Sequence, residues 1–336
     1  MSFVGVVDNG SIIGSGEAMT RLRAQIAQVA ASEMRVLISG PTGAGKELVA
    51  HEIHRQSRRS SKPLVIVNCA ALTETLLESE LFGHVRGSFT GADRTQKGKL
   101  EIADGGTLFL DEVGDMTLRM QGLILRFLES GEIQPVGFPG SKVVKVRVIT
   151  ATNAELNKMV EEKTFRKDLY FRLKVAHLEV PPLAARAVDI PELVTHFMHK
   201  LCSNGNGYQP KTFSPDTMEL FGRYKWPGNV RELKNVVEKF LALPEEAPIT
   251  LQDLPVEIVS PAEEVEDSGN QNIVFPQKMP SYYEMESSYF RELIMRAGGK
   301  VSVVSMVAGL PRSSTDNKVN KCNLRSLLRT LKAKDP

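Results

Sequence analysis

Val36-Leu37-Ile38-Ser39-Gly40-Pro41-Thr42-Gly43-Ala44-Gly45-Lys46-Glu47 decides the fold of this 336-residue chain. A short apolar run breaks into a glycine-rich loop, and the loop ends at a lysine that opens the helix-forming Glu47-Leu48-Val49-Ala50. Gly40, Gly43 and Gly45 let the backbone curl so that successive N–H groups point inward at an anion. The helix behind the loop aims its positive end at the same point, and Lys46 can reach β- and γ-phosphates. The spacing Gly40-x4-Gly45-Lys46 fits a P-loop, with Pro41, Thr42, Gly43 and Ala44 between. Glu47 stands where Ser or Thr would ligate Mg²⁺. A plain glycine-rich turn is the competing reading, and the strand before and helix after it argue against that. Residues 40–47 are thus expected to cradle a nucleoside triphosphate.

A second signal agrees with the first. Gly105-Gly106-Thr107-Leu108-Phe109-Leu110-Asp111-Glu112 reads as a buried strand delivering two adjacent carboxylates at its C-terminal end, where α/β sheets keep their ligands. Asp111 would hold Mg²⁺ directly or through water, and Glu112 would polarise the attacking water as general base. Alone, such a pair is a solvated loop; beside a phosphate loop it is the expected partner.

Around these two stretches, apolar runs recur between helical ones: Val36–Ser39, Leu64–Asn68, Thr107–Leu110, Val146–Thr150 and Val175–Val180. Near-continuous apolar strands separated by helices indicate a parallel sheet covered on both faces. Met19, Leu22, Ile26 and Val29 or Ala30 recur at helical spacing from Glu17 to Ala31. After Pro181-Pro182 the pattern is helical to about Leu243, which predicts a small helical domain on the α/β one. Residues 244–282 are rich in Pro, Glu and Ser and read as a linker. Hydrophobic content of 42% and charged content of 24% are ordinary for a soluble globular protein. The net charge of +2 hides an uneven distribution. Glu257 to Asp267 carries five acidic residues and no basic one, whereas Arg291 to the end carries ten Lys/Arg against three Asp/Glu. A basic terminal module predicts nucleic-acid contact, with a solvated helix face as the bland alternative. Cys69, Cys202 and Cys322 form no CxxC pair, which predicts reduced thiols, no zinc site and a cytoplasmic setting. No apolar run approaches membrane-spanning length.

With these residues in place, the chain resembles the AAA+ activators of sigma-54 RNA polymerase, the bacterial enhancer-binding proteins. The most specific stretch is Glu78-Ser79-Glu80-Leu81-Phe82-Gly83-His84-Val85-Arg86-Gly87-Ser88-Phe89-Thr90-Gly91-Ala92. In the family the matching Gly-Ala-Phe-Thr-Gly-Ala tips a loop that contacts sigma-54, and here it reads Gly87-Ser88-Phe89-Thr90-Gly91-Ala92. The resemblance implies ATP and Mg²⁺ as ligands and a fold of parallel-sheet AAA+ P-loop ATPase (12–180), helical lid (181–243) and C-terminal helix-turn-helix domain (283–336), behind a lead-in of residues 1–11. It implies that Asn68 switches the catalytic glutamate and that Asn153, after Thr152, senses the γ-phosphate. By the same resemblance Arg166 and Arg172 are fingers inserted into the neighbouring subunit's site. Arg231, in Trp226-Pro227-Gly228-Asn229-Val230-Arg231-Glu232-Leu233, couples nucleotide state to lid angle. Fingers in trans imply a head-to-tail interface, and the family closes it into a hexamer.

The basic tail resembles the Fis-type helix-turn-helix with which the family binds upstream promoter DNA. Helices are expected over about Tyr283–Ala297, Val301–Ala308 and Arg312–Lys321, with Arg312, Lys318, Lys321 and Arg325 as DNA contacts. Thr315-Asp316-Asn317 departs from the family's apolar and aromatic step. With no sensory domain expected before residue 12, control would come from a regulatory protein in trans, from expression level, or from a domain outside this chain. The leading expectation is ATP-driven remodelling of the closed sigma-54 holoenzyme promoter complex. The alternatives are a DNA-binding regulator that keeps the AAA+ fold without engaging sigma-54, and an unrelated AAA+ unfoldase or protease component.

Overall fold

The computed structural model describes residues 12–89, 92–203, 208–242, 248–259, 282–297, 300–308, 310–322 and 324–327. They belong to two compact units, divided after residue 262.

The first unit carries strands β1 (Val36–Ser39), β2 (Leu64–Asn68), β3 (Gly83–His84), β4 (Gln96–Lys97), β5 (Thr107–Asp111), β6 (Glu132–Ile133), β7 (Lys142–Val143), β8 (Arg147–Thr152) and β9 (Ala176–Glu179). Five of them form an all-parallel sheet in the order β2-β5-β8-β1-β9. Every residue of β8 is buried, as are the first four of β5, whereas the edge strands β2 and β9 are only partly buried. That gradient is why the central strands read as unbroken apolar runs. Helices Glu17–Ala30 and Lys46–Arg55 cover one face through Met19, Leu22, Ile26, Val49 and Ile53. Helices Glu74–Phe82, Leu118–Ser130 and Lys167–Leu173 cover the other through Leu81, Ile124, Leu128 and Leu169. Thr117 caps Leu118–Ser130 by accepting from the Met120 N–H at 3.3 Å, and Gly131 at φ 74° ends it.

Register sets the site. Asn68 pairs with Asp111 and Ser39 with Thr152, so the polar strand ends lie along one edge of the sheet. The phosphate loop leaves β1 at that edge.

The lid packs helices Ile190–Ser203, Pro215–Arg223 and Asn229–Leu241 around Trp226, which is fully buried and donates its indole N–H to the Phe221 carbonyl at 2.8 Å. Ser214 caps the second of these by accepting from the Thr217 N–H, with Pro215 opening the helix. The expected linker from residue 244 needs correction. Ile249, Leu254 and Ile258 are buried in the same lid core, so residues 248–259 are lid.

The second unit has helices Tyr282–Arg296, Val301–Val307 and Arg312–Lys321, within a residue or so of expectation. Phe290, Ile294, Val304, Val319, Cys322 and Leu324 form its core. Among the described residues no helix is long and apolar enough to cross a membrane.

Candidate active site

The loop after β1 is shaped for an anion. Gly40, Gly43 and Gly45 all have positive φ (152°, 76° and 106°). A Cβ on Gly45 would meet nothing within 4 Å, so the mouth of the cradle is open space at the start of helix Lys46–Arg55. Lys46, only 6% exposed, donates to the carbonyls of Gly40 at 2.9 Å and Pro41 at 3.4 Å. It lies 3.5 Å from the Glu112 carboxylate. A buried ammonium held by neutral carbonyls and one carboxylate is poised to take a further anionic partner.

Asp111 ends β5 and Glu112 follows directly, as the sequence requires. Burial, then the neighbouring Glu112 charge, holds the Asp111 carboxyl above the usual carboxylate range; Lys46 works the other way and Glu47 adds to the rise. A divalent cation would relieve that repulsion. Among the described residues no group of three or more His, Cys, Asp or Glu side chains forms a metal cluster. A hard cation at Asp111 would therefore complete its shell with phosphate oxygens and water. Glu112 takes a left-handed backbone, φ 51°, and its Oε2 accepts from the Asn153 N–H at 3.0 Å. Asn153 Nδ2 donates in turn to Thr42 Oγ1 at 2.8 Å. Phosphate loop, carboxylate pair and Asn153 thus form one hydrogen-bonded assembly.

Asn68 stands level with Asp111, but its Oδ1 accepts from the N–H groups of Ala70 (2.9 Å) and Ala71 (3.2 Å). The Glu112 carboxylate is held instead by Asn153 and Lys46. Arg231 meets the loop by its backbone, its N–H donating to the Gly43 carbonyl at 3.3 Å. An apolar cavity of about 200 Å³ adjoins the loop, lined by Ile12, Ile13, Val180, Leu193, His196 and Phe197 among others. It suits the flat apolar face of a nucleobase. Sequence reasoning missed it, because its walls come from five stretches of chain with no shared spacing.

Residues 12–179 match the family described as Sigma-54 interaction domain, and residues 184–271 match the AAA+ ATPase lid domain. The chain belongs to the sigma-54-dependent activators of the AAA+ family. It is 42% identical over 310 residues to transcriptional regulatory protein ZraR of Escherichia coli K12, spanning 92% of this chain and 68% of that one. Regulatory protein LuxO of Vibrio cholerae is 49% identical over 232 residues, spanning 69% and 44%. The solved structure of NtrX from Brucella abortus in complex with ATP is 37% identical, with a TM-score of 0.72, covering 93% of this chain and 69% of that one. The activator is thus an AAA+ ATPase that binds ATP.

In this activator residues 85–89 and 92–95 lie between the antiparallel strands β3 and β4. Gly87, at φ 81°, donates its N–H to the Ala92 carbonyl at 2.9 Å. The Phe89 ring lies edge-on to His84 with centroids 5.2 Å apart, so it is parked against the hairpin base. Ser88 sits beside Gly137 of the β6–β7 hairpin, which the sequence reading did not find. Thr90 and Gly91 lie outside the described residues.

The two candidate fingers differ. Arg166 is exposed and pairs with Asp168 at 2.7 Å. Arg172 is half-buried and donates to the Leu128 carbonyl at 3.4 Å, beside Arg35, which donates to the Arg172 and Leu128 carbonyls. In the activator's second unit Arg312, Lys321 and Arg325 stand at exposed positions. Lys318, expected to contact DNA, is instead ion-paired within the unit to Glu286, whose side chain is 7% exposed.

Proposed function

We propose that this activator hydrolyses ATP to remodel the closed sigma-54 holoenzyme promoter complex into an open one. The observation that carries it is the hydrogen-bonded assembly of Thr42, Asn153 and Glu112 at the phosphate loop, on the same subdomain as the β3–β4 pair between whose strands residues 87–92 fall in sequence. In this reading residues 40–47 cradle the phosphates, Lys46 neutralises them, and Asp111 orders Mg²⁺. Glu112 is the general base, with Asn153 beside it as γ-phosphate sensor and Asn68 as its switch. Arg231 sits between lid and loop. Arg166 and Arg172 complete the site of the next subunit in a head-to-tail ring, a hexamer by family likeness. Arg166 suits the role as it stands, and Arg172 would have to leave Leu128. Residues 87–92 contact sigma-54. The second unit is read as a helix-turn-helix that places helix Arg312–Lys321 in upstream promoter DNA, with Arg312, Lys321 and Arg325 on phosphates. The protein would work in the cytoplasm, under a regulatory protein in trans or a domain outside this chain.

Thr90→Ala tests the division between engine and output. It removes a hydroxyl and a methyl but no charge, so ATPase activity should stay within a few-fold of wild type while promoter opening with sigma-54 holoenzyme is lost. Normal opening by that variant would remove the hairpin as the contact and favour a DNA-binding regulator that does not engage sigma-54.

A further inference from the structure

The lid and the phosphate loop meet through polar contacts that neither phosphate binding nor helix capping requires. Asn229 is the first residue of helix Asn229–Leu241, and Gly228 occupies the cap position. The Asn229 side chain serves other segments. Its Oδ1 accepts from the Leu183 N–H at 2.8 Å, and its Nδ2 donates to the Thr42 carbonyl at 3.0 Å and the Pro227 carbonyl at 3.3 Å. Leu183 opens the segment that joins the sheet to the lid. Asn229 is 3% exposed and has φ 53°, a left-handed state that asparagine tolerates better than most residues. On the other side of the loop, the Thr42 hydroxyl holds Asn153, and Asn153 holds Glu112. One threonine therefore faces the catalytic carboxylate with its hydroxyl and the lid with its carbonyl.

We propose that Thr42 and Asn229 are positioning residues that relay the state of the γ-phosphate site to the lid hinge at Leu183. The relay rests on the reading of Glu112 as general base and Asn153 as its partner. The Asn153 amide is engaged by the Thr42 hydroxyl, and an anion at the γ position competes for the same donor. When Thr42 is released its peptide can shift, and its carbonyl carries the Asn229 amide with it. That amide is buried and bonded twice more, so it cannot follow without moving Leu183 or Pro227. Coupling of this kind is reciprocal: the lid's position must also bias the loop between triphosphate and diphosphate. Asn229 does this without touching nucleotide.

The test uses the full chain with ADP and with a non-hydrolysable ATP analogue. Two quantities are read: the ratio of the two affinities, and amide hydrogen exchange across residues 229–241. Trp226, the only tryptophan and three residues from Asn229, reports binding by its emission. Thr42→Val replaces the hydroxyl with a methyl of similar size, and Asn229→Gly removes the side chain while keeping the backbone conformation. Wild type should show lid exchange that differs between the two nucleotides. Both variants should lose that difference and shift the affinity ratio by about fivefold or more, as expected for loss of one or two coupled hydrogen bonds. Thr42→Ser keeps the hydroxyl and should restore the nucleotide-dependent difference in lid exchange that Thr42→Val loses, and in that difference the double variant Thr42→Val/Asn229→Gly should be no worse than either single one. A role in packing alone would weaken both nucleotides together and speed exchange with either, and that result overturns the relay. So does lid exchange that still separates the nucleotides in both variants. Wild type that binds neither nucleotide would overturn the underlying site reading, a failure visible before any variant is made.

Discussion

Gly43→Ala tests whether the lid rests directly on the phosphate loop. A Cβ at Gly43 would lie 2.3 Å from the Gly228 carbonyl oxygen and 3.1 Å from Arg231 Cβ. The nearer atom is backbone at the lid's entry turn and cannot rotate away. Ordinary contact begins near 3.4 Å, so the lid must back off by about 1 Å. At that separation the bond from Arg231 N–H to the Gly43 carbonyl opens, and the one from Asn229 to Thr42 stretches beyond useful length. Two hydrogen bonds at ~1 kcal/mol each, with ~1–2 kcal/mol for a left-handed alanine, give a loss of about 3–4 kcal/mol. For a unit of this size that lowers the melting midpoint by roughly 6–15 °C. Misplacement by about 1 Å also predicts an ATPase rate reduced by about 10²-fold. Gly45→Ala is the control: its φ is also positive, but its methyl enters open space. It should melt higher than Gly43→Ala yet lose nucleotide affinity, because the methyl stands in the cradle. Calorimetry without nucleotide, followed by nucleotide titration, decides the matter. A Gly43→Ala protein that melts within ~2 °C of Gly45→Ala would refute the seating of lid on loop.

Glu112→Gln should keep nucleotide affinity within a few-fold and lower turnover at least ~10²-fold, whereas Lys46→Ala should weaken binding itself; a radiolabelled-nucleotide filter assay beside a phosphate-release assay separates them. Mixing Arg166→Ala with Glu112→Gln subunits should restore part of the ATPase rate, since roughly a quarter of the interfaces in a closed head-to-tail ring then pair an intact base with an intact finger; verified mixed assemblies that stay inactive would exclude action in trans. Asp111 has a raised pKa, so its contribution favours the fold at low pH and is lost as pH rises through the folded-state value. At neutral pH Asp111→Asn should therefore be at least as stable as wild type in thermal melts without nucleotide, while losing Mg²⁺-dependent stabilisation by ATP. Burial, helped by Asp111, Asp115 and Glu112, pushes the Cys69 thiol up to about 12. At pH 8 its thiolate fraction is about 10⁻⁴, so a thiol reagent should label the part-exposed Cys202 first and Cys69 only on unfolding.

The central strands were legible because β5 and β8 are buried on both faces, leaving no polar alternation to confuse the pattern. The P-loop and carboxylate pair were legible because chemistry fixes their spacing. The hairpin between β6 and β7 was not: two-residue strands have no period to detect. Ile249, Leu254 and Ile258 were hidden in a Pro- and Glu-rich stretch, where composition outweighed three well-spaced apolar residues. Side-chain direction was the other blind spot. Nothing in Phe-Arg-Lys-Asp-Leu-Tyr-Phe-Arg says that Arg166 meets Asp168 outside while Arg172 turns in toward Leu128. Lys318 likewise looks like any basic residue of a DNA-facing helix until Glu286 is placed beside it.

Four described residues other than glycine adopt positive φ, and three of them are Glu112, Trp226 and Asn229, just after β5 and in the lid's entry turn. Each holds a conformation costing of order 1–2 kcal/mol relative to an unstrained backbone. At Trp226 glycine would forfeit a fully buried indole worth about 3–5 kcal/mol, and at Asn229 it would forfeit three hydrogen bonds, so the strain is worth relieving only at Glu112. A directed-evolution campaign scored on heat resistance alone would therefore find glycine attractive at Glu112, the carboxylate proposed as general base, and not at the other two. A library that enriches glycine at Glu112 while keeping Trp226 and Asn229 has been selected for endurance at the expense of work.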